Sequence, residues 1–345
     1  MSPLPPSPQL VAGVDIAAAS FMAAWARPGY PLGVAPSTPH PFEQTPVGFA
    51  AFQKQLAATG VAPDATLVVL EATGSYWVAL AVELHSAGYR VAVANPAHVH
   101  NYAKSLPRRG KTDGLDARLL TQFGLERQLE SWTPPPAVYH ELRQRLVARD
   151  GLLMMRQQAR NQLHALEQWP VRVAAVHQQM TEVIESLDGQ VRTLEKAIAK
   201  VLADGAWATS AAHLQSIPGL GLVTVGWLLV GTVNFTTCPS AQAAANYAGL
   251  APMERQSGTS IRGRPCIGHG GNQRVRTALY MATLSAARYN PVIKTFYTRL
   301  REAGKPAKVA RCAAARKLMH LAFAVVTKEQ DFHPSYQKTP VVSAA

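Results

Sequence analysis

Cysteine, acidic residues and long apolar runs are all scarce in this sequence. Its 345 residues include only Cys238, Cys266 and Cys312. None stands in a CxxC pair, and their spacing suits neither a zinc site nor a disulfide framework, so a reduced, cytoplasmic setting is expected. No apolar stretch is long enough to span a bilayer, which excludes a transmembrane helix. Met1–Leu10 is rich in proline and lacks a basic n-region or an apolar h-region, so no secretory signal is expected there. Asp and Glu number 21 against 34 Lys and Arg, a net charge of +13. The imbalance is local: from Leu250 to His320, fourteen Lys and Arg face only Glu254 and Glu302. A solvated basic surface would account for some of this. Its concentration in one segment favours a polyanionic partner, because each cation that neutralises a phosphate releases condensed counterions.

What is present reads first as alternating strands and helices. Leu10–Ala17 is an apolar run carrying an acid near its end, and Phe21–Arg27 can pair with it. Pro46–Thr59 has helical apolar spacing at Phe49, Phe52 and Leu56. Thr66–Glu71 is a buried-type strand, Tyr76–Ala87 a helix closed by Gly88, Tyr89–Ala94 another strand, and Asp113–Arg127 a helix again. Strands followed by strand–helix alternation predict a mixed α/β sheet with helices on its faces over residues 10–133. After Pro134-Pro135-Pro136 the chain turns helical over 137–204. There Val173, Val176, Met180, Val183, Leu187, Val191, Leu194, Ile198 and Val201 follow a heptad-like seam with one stutter. The seam fits an intermolecular coiled coil or a helical hairpin packed on its own domain. Residues 205–332 read as a mainly α domain, with Ile217–Val225 (IPGLGLVTV) resembling the turn of a helix-hairpin-helix module, or simply a Pro-Gly turn between two core helices. Residues 1–9 and 333–345 are expected to be an unstructured lead and tail.

Four acids fall where strands end or a helix begins. Asp15 lies in GVDIA, Glu71 in VVLEATG, and Asp113 and Asp116 in KTDGLDAR, three apart and so on one helix face. Singly, each has an ordinary reading: a turn or cap residue for Asp15 and Glu71, an N-cap for Asp113, an ion pair with Arg118 for Asp116. Together they form a set whose mutual repulsion calls for a cation. Magnesium, a hard ion that takes oxygen ligands and shares them with phosphate, is the natural one, as one or two ions. Two such ions could stabilise attacking and leaving oxygens in an in-line displacement at phosphorus. Further along, GLAPMERQSGTSIRGR places Ser257 before Gly258, flanked by Arg255, Arg262 and Arg264. A Ser-Gly pair is by itself a common turn. These arginines, with Arg274 and Arg276 beyond them, are the candidate nucleic-acid-binding residues.

These motifs resemble those of the DEDD transposases, the bacterial insertion-sequence family usually called IS-one-ten. GVDIA, LEATGSYW, NPAHVHNYAKS and KTDGLDARLL carry the likeness in the first domain; IPGLGLVT, YAGLAP, QSGTSIRGR and RKLMHLAF carry it in the last. The resemblance implies a ribonuclease-H-like, RuvC-like N-terminal domain, a helical coiled-coil connector and a C-terminal transposase domain. It implies that Asp15, Glu71, Asp113 and Asp116 are metal ligands, and that Ser257 forms a covalent phosphoserine link with DNA, with Thr259 and Ser260 as lesser alternatives. It also implies a composite site between subunits of a homodimer or homotetramer, donor and target DNA as substrates, and a guide noncoding RNA transcribed from the element. One departure is Gly268-His269, where members of the family often have Ser-Lys; His269 would hold a phosphate less strongly at neutral pH. Two other readings remain at this point. A RuvC-like junction-resolving endonuclease acting by metal-activated water would leave Ser257 without a task. A non-catalytic binding protein would leave the four acids without one.

Overall fold

The structure is a computed structural model, and it describes residues 7–29, 36–106, 112–257, 261–268 and 270–334. The expected lead and tail fall largely on residues 1–6 and 335–345, outside the described residues. The chain divides into two compact units, Met1–Pro134 and Pro135–Ala345. The first is an α/β unit and the second is mainly helical.

In the first unit, strands β1 (Leu10–Ile16), β2 (Ser20–Ala26), β3 (His40–Glu43), β4 (Thr66–Glu71) and β5 (Arg90–Ala94) form one sheet in the order β3-β2-β1-β4-β5. β1 runs antiparallel to β2 and parallel to β4; β4 runs parallel to β5. The period-2 alternation of β1 decides how the two faces are filled. Leu10, Ala12 and Val14 point into a core shared with Phe49, Phe52 and Leu56 of α1 (Pro46–Ala57) and Leu80 and Leu84 of α2 (Trp77–Ser86). Val11 points the other way, into a core with Tyr102 of α3 (Pro96–Ser105) and Leu119, Leu120 and Phe123 of α4 (Asp113–Glu126). The helix α3 and the short strand β3 were not anticipated. Asn95 starts α3 by accepting a hydrogen bond from the Ala97 N–H, and Pro96 fills the first helical position.

The contact that fixes this unit is between α4 and β1. The Thr121 hydroxyl, fully buried, accepts from the Gly13 N–H at 3.1 Å and donates to the Ala24 carbonyl at 2.8 Å. A side chain at Gly13 would run into the backbone of Ala117, Leu120 and Thr121. One at Gly124 would instead meet side-chain methyl groups of Val11 and Val69, at 2.7 Å.

In the second unit, α5 (Ala137–Leu166) and α6 (Ala174–Asp204) form an antiparallel hairpin. Ile184, Val191 and Ile198 give α6 a buried face, while Val173, Val176 and Val183 are exposed, so the heptad-like seam is divided between core and solvent. Ion pairs staple the hairpin: Arg149 to Glu195, and both Arg156 and Arg160 to Asp188. The hydrogen bond from Arg156 holds the Asp188 carboxyl below its ordinary range. The same core takes in Leu228 and Leu229 of α8 (Leu222–Thr232), Leu279 of α10 (Gln273–Tyr289) and Leu318 and Met319 of α12 (Ala307–Thr327). Between α7 (Ala208–Gln215) and α8, Gly219 adopts φ +105°, and its missing side chain leaves room for Ala286 of α10. That close approach supplies a packing reason for the Pro-Gly turn. Among the described residues no helix is long and apolar enough to cross a membrane.

The two glycines of the first unit should separate in their cost. Gly13→Ala collides with rigid backbone and should lower stability by about 3 kcal/mol, whereas Gly124→Ala displaces side-chain methyls and should cost about 1 kcal/mol. Denaturant unfolding followed by circular dichroism measures both, and equal losses would show that α4 does not sit on β1 as described.

Candidate carboxylate site and nucleic-acid interface

Asp15 and Glu71 each stand one residue beyond the last registered pair of the parallel strands β1 and β4, Val14 opposite Leu70. They therefore share one end of the sheet on adjacent strands. Glu71 accepts a hydrogen bond from the Thr73 hydroxyl at 2.7 Å. Helix α4 runs over β1 with Gly124 against Val11 and Ala117–Thr121 against Gly13. Moving up β1 thus means moving toward the start of α4. Two strand residues beyond Gly13 rise about 6.6 Å, and the four helical residues from Ala117 back to Asp113 about 6 Å. Asp113 and Asp116 accordingly lie toward the same end as Asp15 and Glu71.

The start of α4 is capped by Thr112, whose hydroxyl accepts from the Leu115 N–H at 3.3 Å. Capping is therefore not the task of Asp113, which is exposed, as Asp116 is in part. Acids in the first turn are favoured by the helix dipole, a local reason for both to be tolerated. Among the described residues, no three acidic, histidine or cysteine side chains come close enough to hold a single ion. The structure brings the four acids to one end of one sheet but does not gather their side chains around one point. As a donor set, four carboxylates fit a hard divalent cation and would not suit a soft one.

The second unit carries all of the net charge: residues 1–134 hold nine basic and nine acidic residues. Ser257 is the last residue of β6 (Met253–Ser257), registered opposite Ile261, the first of β7 (Ile261–Cys266). This antiparallel hairpin, with an irregularity between Met253 and Arg255, was not anticipated. Arg255 registers with Gly263 and Arg262 with Gln256, and Arg264 lies further along β7. Thr259, Ser260 and His269 lie outside the described residues. Arg274 and Arg276 open α10, whose N-cap Asn272 accepts from the Arg274 and Val275 N–H groups. The Arg276 guanidinium donates to the Gly270 carbonyl at 2.7 Å, and that of Arg274 lies over the Trp227 ring, 4.7 Å from its centroid. Arg274 also faces Asp150, whose carboxyl is pushed up by burial against the pull of Arg149 and Arg274. Sequence reasoning missed this role: Arg274 helps tie α10 to α5 and α8. Of the eleven Lys and Arg from Arg274 to Lys317, none forms a salt bridge among the described residues.

An acid-edged mixed sheet joined to a basic helical unit is the equipment of an enzyme acting on nucleic-acid phosphates. The comparisons with known proteins narrow that class. A model described as "Transposase", for DEDD transposases of the IS110 type, matches residues 12–168, and one described as "Transposase IS116/IS110/IS902 family" matches 211–298. The chain is 32% identical over 268 residues to the pilin gene-inverting protein of Moraxella bovis, covering 77% of this chain and 81% of that protein. It is 35% identical over 132 residues to the insertion element IS110 uncharacterized 43.6 kDa protein of Streptomyces coelicolor, covering 38% and 32% of the two. This chain belongs to the IS110 family of transposases, and it is a DNA transposase/recombinase.

Binding to DNA should be dominated by phosphate contacts. Changing Arg262 and Arg264 together to Gln should lower the slope of log affinity against log salt by about 2 on duplex DNA, roughly one for each released contact. Titrations between low and moderate salt read this directly, and an unchanged slope would remove both arginines from the interface.

Proposed function

We propose that this transposase cuts and rejoins DNA strands with Ser257 as nucleophile and with Asp15, Glu71, Asp113 and Asp116 as the ligands of Mg2+. The observation that carries the reading is the arrival of all four acids at one end of the first unit's sheet. Strand order β3-β2-β1-β4-β5, with three antiparallel strands and two parallel ones, supports a ribonuclease-H-like, RuvC-like unit. A hard divalent cation, when bound, supplies the positive charge that lets carboxylates share a site with phosphate.

In the reaction the Ser257 oxygen bonds to the scissile phosphorus while the bond to one strand end breaks. That end departs as a hydroxyl carrying the proton that serine gives up. The phosphodiester now joins protein to DNA and stores the energy of the broken linkage. A hydroxyl from another strand end displaces the serine oxygen, rejoins the strands and returns the proton to Ser257. Arg255, Arg262 and Arg264 hold phosphate along the β6–β7 segment. The gene inversion named for the Moraxella relative fits conservative cutting and rejoining. In this reading an element-encoded noncoding RNA pairs with donor and target DNA and carries the sequence choice. The abundance of cations supports that, since phosphate contacts position a nucleic acid without reading it. The active form is a homodimer or homotetramer.

Ser257→Ala should abolish protein–DNA adducts that survive denaturation, together with recombination, while DNA affinity stays within about twofold, since one oxygen is lost from a largely electrostatic interface. Ser260→Ala should keep both products. Asp15→Asn, Glu71→Gln, Asp113→Asn and Asp116→Asn should each stop recombination with stability held or raised, as like-charge repulsion is relieved. Adducts from Ser257→Ala would move the nucleophile to another residue, and wild type yielding cut strands but never adducts would favour hydrolysis.

Assembly is tested on the exposed side of α6. Val176→Glu with Val183→Glu leaves Ile184, Val191 and Ile198 in place and should shift sedimentation toward monomer while abolishing recombination. An oligomeric, active double variant would confine the seam to packing within the chain.

A further inference from the structure

A second feature of the basic unit is not used by the chemistry above. Helix α10 ends at Tyr289, and α11 (Pro291–Glu302) starts two residues later. Asn290, fully buried, makes the corner rigid: its side-chain oxygen accepts from the Val292 and Ile293 N–H groups, and its amide donates to the Pro218 carbonyl at 3.3 Å. The corner, with Arg311 of α12 on its third side, borders an open cleft of about 490 Å³, within the size range of small-ligand sites. Its polar lining is Thr283, Ser285, Arg288, Tyr289, Tyr297 and Arg311. No carboxylate lines it. Among the described residues, neither Arg288 nor Arg311 forms a salt bridge.

We propose that this cleft between α10, α11 and α12 binds one unpaired nucleotide of a single strand, its base stacked on Tyr289 and Tyr297 and its phosphate held by Arg288 and Arg311. Two guanidinium groups facing a cleft without a counter-charge call for an anion, and the planar fork of arginine matches phosphate in particular. Tyr289 is 71% exposed, so its ring is open to a stacking partner from solvent. Aromatic rings beside cations form the stacking platform of single-strand binders, which take any base because every base has a π face. A base inside a duplex is already stacked on both sides and cannot lie on these rings without being extruded. Duplex DNA therefore meets this surface only through its phosphates. Strand exchange opens paired strands and yields unpaired nucleotides, so the cleft's role in the reaction rests on the recombinase reading, although its binding does not. DNA and RNA single strands offer the same base and phosphate, and the test separates them.

The experiment uses the full chain with three probes of one sequence: single-stranded DNA, single-stranded RNA and duplex DNA, each carrying 2-aminopurine. Stacking on tyrosine should quench the fluorophore in at least one of the single strands. Tyr289→Leu with Tyr297→Leu should remove the quench and weaken that strand about tenfold, the scale of one lost base stack. Tyr289→Phe with Tyr297→Phe should retain both, and duplex affinity should stay within about twofold throughout, because its phosphate contacts are untouched. Which single strand depends on the rings identifies the natural ligand. Tyr289→Leu alone, a change at an exposed position, should show part of the effect with an unchanged melting curve. A quench that survives the leucine changes would overturn the proposal, as would equal weakening of duplex and single strand. Failure of the recombinase reading looks different: wild type would form no covalent adduct, yet the tyrosine-dependent quench would remain.

Discussion

One hydroxyl sets the geometry on which the first unit depends. Thr121 bridges the Gly13 N–H and the Ala24 carbonyl, and so joins helix α4 to both β1 and β2 at a place where no side chain intervenes. Buried polar groups are costly unless satisfied, so this pair of hydrogen bonds resists sliding of α4 along the sheet. Registration of the helix fixes where its first turn lies relative to the ends of β1 and β4. Two of the four acids ride on that helix and two on those strands. A slip of one helical turn would carry Asp113 and Asp116 about 5.4 Å away from the sheet's end.

The second unit solves a different problem, which is to keep many cations outside a helical core. Small residues do this on α10 and α12: Ala282, Ala286, Ala310, Ala314, Ala315 and Ala322 are buried, so the helix backbones approach closely. The long cationic side chains then have only the outer surface to occupy, where their aliphatic stems cover apolar groups and their heads stay wet. Arg299 and Lys317 both lie over the Phe296 ring, and Arg274 over Trp227, so part of the positive charge is held in place by aromatic faces. Charge fixed in this way loses little entropy when phosphate arrives, which suits a binding surface better than free lysines would.

Much of this was legible because the signals were local. The strand Thr66–Glu71 was read with its bounds, since a short apolar run of β-branched residues between turn signals has few other outcomes. The start of α4 at Asp113 is legible as well, although its cap is Thr112. Long-range features were not legible. Nothing in the spacing of Gly13 and Thr121, 108 residues apart, announces that they touch. The hairpin β6–β7 escaped because its arginines and glycines look like a loop and its strands gain from pairing with each other, not from a hydrophobic pattern. The cleft at Asn290 escaped for a third reason. No period in the sequence brings Arg311 of α12 to the same cleft as Tyr289 of α10.

The separation of charge between the two units has a mechanistic consequence. The first unit is neutral overall, and its sheet presents acids at one end, so by itself that end repels a phosphate. A cation bound there would reduce the repulsion but would not supply the affinity needed to hold a long polyanion. The whole surplus of +13 lies in the second unit, so electrostatic attraction for phosphate is concentrated there. The positive surplus and the acid-edged sheet thus belong to different units of the chain. Salt screens the phosphate contacts of the second unit while leaving the four carboxylates of the first unchanged in number and place.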